Sequence, residues 1–160
     1  MKYDDASWHY GGTFPEDLPE SAGSTHIAFF LGWCVLNGLA SEYQETQCSE
    51  DLKKLRARSK TPSEWFIRVC DEKFTDEDLS AEGNAFALEY YGQPGNGNST
   101  SPAYLSDYSA AFAEFSKIYA VPPTWESYDR LAPAIARRFV KWRAKPRWQQ
   151  WIRRLFRWQS

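Results

Sequence analysis

The distribution of apolar and polar residues along the chain indicates helices, and one stretch is apolar on nearly every side. The apolar side chains of residues 27–40 cover almost the whole circumference of a helix that Ser24 or Thr25 would cap. The stretch is shorter than the roughly 20 apolar residues that a bilayer span requires. We therefore predict a central helix, buried in the core of a folded domain.

Capping signals predict further helices on both sides of an evident loop. Thr61 to Glu64 form a capping box with proline at the first helical position, and Asp76 to Asp78 place three carboxylates at a helix start. Together the signals predict helices over about residues 49–58, 62–70, 75–91, 103–115 and 124–143, with a loop over 92–102. Alternating strands are not evident, apart from a candidate short strand near residues 117–121. The predicted fold is all-α, a single compact domain of six to seven helices.

The two ends of the chain differ from this helical middle. Residues 1–23 have no steady period but are rich in glycine, proline and aromatic residues, which predicts an irregular, ordered segment. Residues 130–160 carry ten Lys or Arg and no Asp or Glu, whereas the 129 residues before them carry nine basic and 21 acidic side chains. We predict an acidic helical domain over 1–144 and a basic C-terminal helix over 145–160, docked on it.

Within the basic end, residues 146–158 give the clearest amphipathic pattern in the chain. Apolar and aromatic side chains share one side of the predicted helix, and Arg and Gln fill the other. Docking on the chain's own domain is the favoured interpretation, and two others stay open: binding to a partner protein or a second copy of this chain, and binding to an anionic membrane surface. Nucleic acid is disfavoured because the acidic domain would repel it. The residues of this candidate surface are Trp148, Trp151, Arg153, Arg154, Arg157 and Trp158.

Candidate chemistry is sparse. The chain has two histidines, and Asp4, Asp5 and His9 together offer metal ligands or an acid–base pair. Their spacing matches no established metal motif, so we expect no metal, no cofactor and no catalytic residue, with His9 in an aromatic cap and His26 in the first turn of the central helix. Three cysteines without metal-ligand spacing, and an N-terminus without a secretory signal, indicate reduced thiols and a cytoplasmic protein.

Several segments carry a resemblance to a known family. They are the opening Met1 to Gly12, the run Lys73 to Leu79, the run Glu82 to Ala87 and the run Trp125 to Pro133. Over roughly residues 1–140 the chain resembles a family of small bacterial cytosolic proteins of unknown function. Small, single-domain, motif-poor bacterial proteins of this kind often look like immunity proteins of polymorphic toxin systems, and the resemblance suggests that association.

These observations predict a non-catalytic protein-binding module, and specifically an immunity protein that occludes a cognate toxin. An acidic surface suits a basic partner such as a toxin domain, since complementary charge speeds association. The predicted contact residues are Asp4, Asp5, Trp8, Tyr10, Asp71, Asp76, Glu77 and Asp78. The alternatives are membrane association or self-assembly through residues 146–158, and an enzyme of unrecognised type that uses His9 with Asp4 and Asp5.

Overall fold

A computed structural model describes residues 1–10, 14–92 and 102–145. Within these ranges the chain forms seven α-helices: α1 Thr25–Leu36, α2 Glu42–Thr46, α3 Ser49–Arg56, α4 Pro62–Cys70, α5 Ala81–Tyr90, α6 Pro102–Ala111 and α7 Trp125–Arg143. Short 3-10 turns lie at Ala6–His9, Glu20–Ser24, Asp76–Asp78 and Ile118–Ala120. The predicted helix over 146–158 lies outside the described residues, as does the predicted loop apart from its ends.

The helical fold class is confirmed, and local capping explains where most helices begin. At the start of α4 the Thr61 hydroxyl accepts a hydrogen bond from the Glu64 amide, and the Glu64 carboxylate accepts one from the Thr61 amide at 2.8 Å. This capping box satisfies two amides that the first turn leaves without helical partners. At the start of α7 the Thr124 hydroxyl accepts a hydrogen bond from the Ser127 amide.

The predicted helix over residues 75–91 is wrong at its start. Asp76–Asp78 form a separate 3-10 turn, Leu79 is extended, and α5 begins at Ala81 with Ser80 as its N-cap. The interruption has a cause that lies far along the chain. The Ser80 amide donates to the Leu39 carbonyl at 2.8 Å, and this bridge to the end of the central helix holds the backbone out of helical geometry.

A small sheet was not predicted from the sequence. Strand β1, Lys2–Asp5, pairs antiparallel with β2, Lys73–Thr75, in a register that places Lys2 opposite Thr75 and Asp5 opposite Lys73. Strands of three and four residues carry almost no alternating signal of their own, and this pair forms because the helical body brings the two segments together. The candidate strand near residues 117–121 is wrong, since residues 118–120 form a 3-10 turn.

The core is built around α1, as its apolar circumference predicts. Every residue of α1 from Thr25 to Val35 is buried, with α4 and α7 among the elements packed against the helix. Phe30 lies at the centre of an aromatic cluster with Phe74, Phe86, Tyr90, Tyr91 and Tyr104. Within the described residues, no helix has both the length and the apolar character needed to cross a membrane.

Gly83 allows α5 to approach the segment after α1 closely. A β-carbon at this position would lie 2.8 Å from the Leu39 carbonyl oxygen and 3.1 Å from the Leu79 β-carbon. We expect Gly83→Ala to lower the free energy of unfolding by about 1–2 kcal/mol, because the backbone contact outweighs the helix propensity that alanine adds. Urea denaturation measures this change, and Ser109→Ala, at an exposed position of α6, serves as the control. Unchanged or raised stability for Gly83→Ala would contradict the close approach.

Candidate functional site

Two of the predicted contact residues, Asp5 and Asp78, are buried, and a third, Asp4, is 13% exposed. Asp5 is 5% exposed and accepts hydrogen bonds from the Ser7 amide and hydroxyl, so its role is to cap the first 3-10 turn. Asp78 is 7% exposed and accepts from the Thr75 amide and the Gln44 side chain, each at 2.8 Å. Burial raises the pKa of Asp78 despite these hydrogen bonds. Asp4, the third, belongs to the polar cluster described below.

Tyr10 is also held within the fold. Its ring lies against Gly23, where an added β-carbon would come within 2.8 Å of the ring, and its hydroxyl donates to Glu72 at 3.2 Å. Burial and the neighbouring Glu72 carboxylate raise the pKa of Tyr10 to about 12. The half-buried side chain therefore orders the N-terminal segment, and a contact between Tyr10 and a partner stays a prediction.

The remaining predicted residues, Trp8, Asp71, Asp76 and Glu77, lie outside the core, and we call them the Trp8 surface. Trp8 is 38% exposed, with the Lys2 ammonium 5.4 Å from the centre of its ring. Asp71 pairs with Lys73, and Asp76 pairs with the N-terminal amine of Met1. Glu77 is exposed and makes no ion pair with any other described residue.

An unusual turn between α4 and β2 presents Asp71. Asp71 and Glu72 both have left-handed backbone, with φ of 49° and 58°, which is uncommon for residues with a side chain. Glu72 is fixed from within, because its carboxylate accepts from Ser24 and its carbonyl accepts from the Ala6 amide at 3.0 Å. The second bond places the turn beside the segment that carries Trp8. The Asp71 side chain is left 86% exposed.

A second arrangement, which we call the Asp4 cluster, joins Asp4, His9, His26, Tyr91 and Tyr119. One Asp4 carboxylate oxygen lies 3.0 Å from Nε2 of His9; the other accepts from the Tyr91 hydroxyl at 2.5 Å and lies 3.7 Å from Nε2 of His26. The Tyr119 hydroxyl lies 3.1 Å from Nδ1 of His9. The two imidazoles meet edge to face, with centroids 4.7 Å apart.

The fold assembles the Asp4 cluster from distant parts of the chain. Asp4 lies on β1, and the 3-10 turn that follows folds His9 back toward it. His26 occupies the first turn of α1, Tyr91 follows α5, and Tyr119 lies in the 3-10 turn before α7. The pairing of β1 with β2 therefore fixes the carboxylate against a rigid helix.

Burial and charge set the protonation of the cluster. Burial alone would raise the pKa of Asp4, but its interactions with His26 and His9 outweigh burial and hold that pKa well below its usual range. Burial lowers the pKa of His26, whose side chain is 2% exposed, and this effect outweighs the opposing influence of Asp4. At neutral pH the centre of the cluster is thus an ionised carboxylate beside a neutral imidazole. Nδ1 of His26 is buried without a hydrogen-bond partner among the described residues.

Sequence reasoning found only part of this cluster. It weighed Asp4 and His9 together with Asp5, and the structure replaces Asp5 with His26, Tyr91 and Tyr119. His26 is in the first helical turn, as predicted, but it faces the cluster. A sequence signal was available only in weak form: both histidines of the chain lie near the aromatic N-terminal segment, 17 positions apart. Such a separation belongs to no local ligand motif.

The residues predicted for the C-terminal surface, from Trp148 to Trp158, lie outside the described residues. Residues 130–145, the described half of the basic end, form ion pairs with acidic side chains of the domain. Four side chains of residues 130–145 pair with the acidic domain: Arg130 with Glu114, Arg138 with Asp107, Arg143 with Glu82 and Lys145 with Glu89. The charge asymmetry along the sequence therefore becomes, over this stretch, a set of ion pairs within the domain.

Comparison with known proteins gives a family and little more. One family model matches residues 2–121, and its description is a domain of unknown function (DUF7832). The matched stretch contains the whole Asp4 cluster and the whole Trp8 surface, and it ends before α7. No curated protein and no solved structure matches the chain.

Proposed function

We propose that this chain, which belongs to the DUF7832 family, is a non-catalytic protein-binding module that uses the Trp8 surface to bind a basic partner protein. The observation that carries the proposal is the exposure of Trp8 on a rigid segment. Tryptophan is the residue type most enriched among side chains that dominate binding energy. A tryptophan that is left 38% exposed in the free protein has further apolar area to bury against a partner.

The surroundings of Trp8 favour a preorganised contact. Lys2 lies over the ring and forms an ion pair with Asp5 at 2.6 Å, and Asp5 in turn caps the turn that carries Trp8. The indole is therefore held on one side by Lys2, which is itself fixed by the buried Asp5. A side chain that is already ordered loses little conformational freedom on binding, and this saving favours affinity.

The carboxylates at the two ends of the sheet favour a basic partner. Asp71 lies at one end of the two-stranded sheet, and Asp76 and Glu77 lie at the other. Two of these carboxylates have ion partners of their own, but exposed pairs are worth only about 0–1 kcal/mol and exchange readily for a partner's charges. A negative electrostatic potential at this surface would raise the association rate of a basic protein by about 10- to 1,000-fold at low salt.

The more specific form of the proposal is a cytoplasmic immunity protein of a bacterial toxin system. The support is the acidic excess of residues 1–129, which suits a toxin domain whose own surface is basic because its target carries phosphate. Occlusion of such a toxin requires a complementary surface and no chemistry. An adjacent reading frame that encodes a large protein with a toxin-like C-terminus would support this form.

Binding kinetics with the partner give a quantitative prediction. Trp8→Ala is expected to weaken binding at least about 30-fold, mainly through faster dissociation, since it removes the anchor. Asp71→Lys combined with Glu77→Lys is expected to slow association about tenfold at low salt and less at high salt. Surface plasmon resonance separates the two rate constants.

Two control variants make this test specific. Val140→Ala removes an exposed apolar side chain of α7, and Glu126→Lys reverses an exposed charge at the start of the same helix. Both are expected to bind as the unmodified protein does. If Trp8→Ala binds with unchanged affinity, the Trp8 surface is not the contact; if only the charge reversals have no effect, the electrostatic part of the proposal fails.

A further inference from the structure

We propose that Asp4, His9 and His26 bind one divalent transition-metal ion of the zinc type, with a carboxylate oxygen of Asp4 and Nε2 of both histidines as ligands. Metal binding at this site would be a function separate from the proposed binding of a partner protein, and neither depends on the other. The proposal is based on the positions of the three donor atoms and on the two tyrosines that surround them.

The donor atoms are already close to the spacing that a metal ion requires. Ligand atoms about 2.1 Å from one ion, at angles of about 90–110°, lie about 3.0–3.4 Å from each other. The carboxylate oxygens of Asp4 lie 3.0 Å from Nε2 of His9 and 3.7 Å from Nε2 of His26, and all three donor atoms lie within 4.8 Å of one another. Side-chain rotations that bring the three donor atoms about 1 Å closer together would complete the geometry.

The chemistry of the donors selects the class of ion. Two imidazole nitrogens and one carboxylate oxygen suit zinc, cobalt and related first-row ions, whereas magnesium and calcium prefer oxygen ligands throughout. Metal ligation needs a neutral imidazole and an ionised carboxylate. His26 is 2% exposed and the Asp4 carboxylate accepts from Tyr91, so both donors are held in place inside the fold.

Two tyrosines occupy the positions of outer-sphere partners. The Tyr119 hydroxyl lies 3.1 Å from Nδ1 of His9, where it would accept the Nδ1 proton once a metal ion replaces the contact between Nε2 and Asp4. Tyr91 donates to the Asp4 oxygen nearest His26, which orients the carboxylate and leaves its other oxygen, beside His9, free of this bond. His26 is held by burial in α1. The three ligands are therefore fixed from three different parts of the fold.

The site is open on one side. The side chains of Asp4 and His9 are 13% and 17% exposed, whereas His26 is 2% exposed, so an ion enters past His9. Three protein ligands leave the fourth position of a tetrahedral ion for water or another small ligand. An ion at this position would also tie residues 2–10, which carry Trp8, to α1.

Zinc binding by the full chain is the direct test, with a purification tag that contains no histidine. Isothermal titration of metal-free protein with Zn²⁺ is expected to give one site per chain, and Mg²⁺ is expected to give none. Asp4→Asn and His9→Gln, which keep polar groups of similar size, are expected to weaken Zn²⁺ binding at least about tenfold each. Because thiols also bind zinc, Cys48→Ser with Cys70→Ser is the matched control and is expected to leave the affinity unchanged.

A measurement on the unmodified chain removes any doubt from misfolded variants. The protein has only two histidines, so ¹⁵N resonances of imidazole report on His9 and His26 alone. Saturation with Zn²⁺ is expected to shift the Nε2 resonances of both. The proposal is overturned if Zn²⁺ shifts neither resonance, if it shifts only one of them, or if the cysteine variants abolish binding that Asp4→Asn and His9→Gln leave intact.

Discussion

Phe30→Ala is expected to lower the free energy of unfolding by about 3–5 kcal/mol, the cost of removing a large aromatic side chain from a packed core. Phe30 is fully buried on α1. Its ring centre lies 4.8–6.0 Å from those of five other aromatic residues: Phe74, Phe86, Tyr90, Tyr91 and Tyr104. These residues come from β2, α5, α6 and the residue that follows α5, so one cavity would loosen most of the domain at once.

Urea denaturation followed by tryptophan fluorescence measures this loss. A single domain is typically stable by about 5–15 kcal/mol, so Phe30→Ala is expected to leave a marginally folded protein. Val140→Ala is the control, since Val140 is 65% exposed on α7 and is expected to change stability by less than about 0.5 kcal/mol. A loss below about 1 kcal/mol for Phe30→Ala would mean that the aromatic cluster is not the centre of the core.

Asp4→Ala is expected to destabilise the metal-free protein by about 2–4 kcal/mol, since buried donors then lose their acceptor. The Tyr91 hydroxyl and the His9 imidazole both bond to this carboxylate, and burial denies them full access to water as a replacement. The expected loss exceeds that of an ordinary polar substitution because one side chain satisfies several groups. The prediction concerns the hydrogen-bond network alone and holds whether or not the site binds zinc.

Thermal and urea unfolding in the presence of a chelator test this prediction. Asp17→Ala removes an exposed carboxylate from a turn and is expected to have no measurable effect. Asp4→Asn is expected to lose less than Asp4→Ala, because its amide oxygen still accepts from Tyr91. Equal stability of Asp4→Ala and the Asp17→Ala control would show that the cluster does not hold the N-terminal segment in place.

The helices were predictable because their signals are local. Thr61 with Glu64, and Thr124 before α7, are capping residues that act within one turn, and the apolar circumference of α1 is a property of its own residues. The start of α5 was not predictable in the same way. Its position depends on the bridge between Leu79 and Ala40, two residues far apart along the chain, and no local pattern indicates that they pair.

The candidate site was less predictable than the fold for a physical reason. The sequence identified Asp4, Asp5 and Asp78 as acidic, and an acidic residue is normally exposed, so all three were assigned to a contact surface. The structure buries Asp5 and Asp78 and leaves Asp4 13% exposed, and each of the three carboxylates accepts hydrogen bonds within the fold. Which carboxylates are internal depends on the pairing of β1 with β2, and strands this short leave almost no pattern to read.

Residues 2–10 contribute to both proposed functions, metal binding and partner binding. Its strand positions Asp4 inward, and the turn that follows directs His9 toward the cluster and Trp8 toward solvent. The interior side of this segment carries the proposed metal ligands, and the exterior side carries the proposed anchor for a partner.

The central claim, protein binding through the Trp8 surface, is tested most directly by affinity capture from a lysate of the source organism. The full chain, Trp8→Ala and Val140→Ala would be used side by side at low and moderate salt, and captured proteins identified by mass spectrometry. The account predicts one basic protein in stoichiometric amount, captured by the unmodified chain and by Val140→Ala and lost with Trp8→Ala. Capture of the same protein by Trp8→Ala, or of no protein by the unmodified chain, would contradict it.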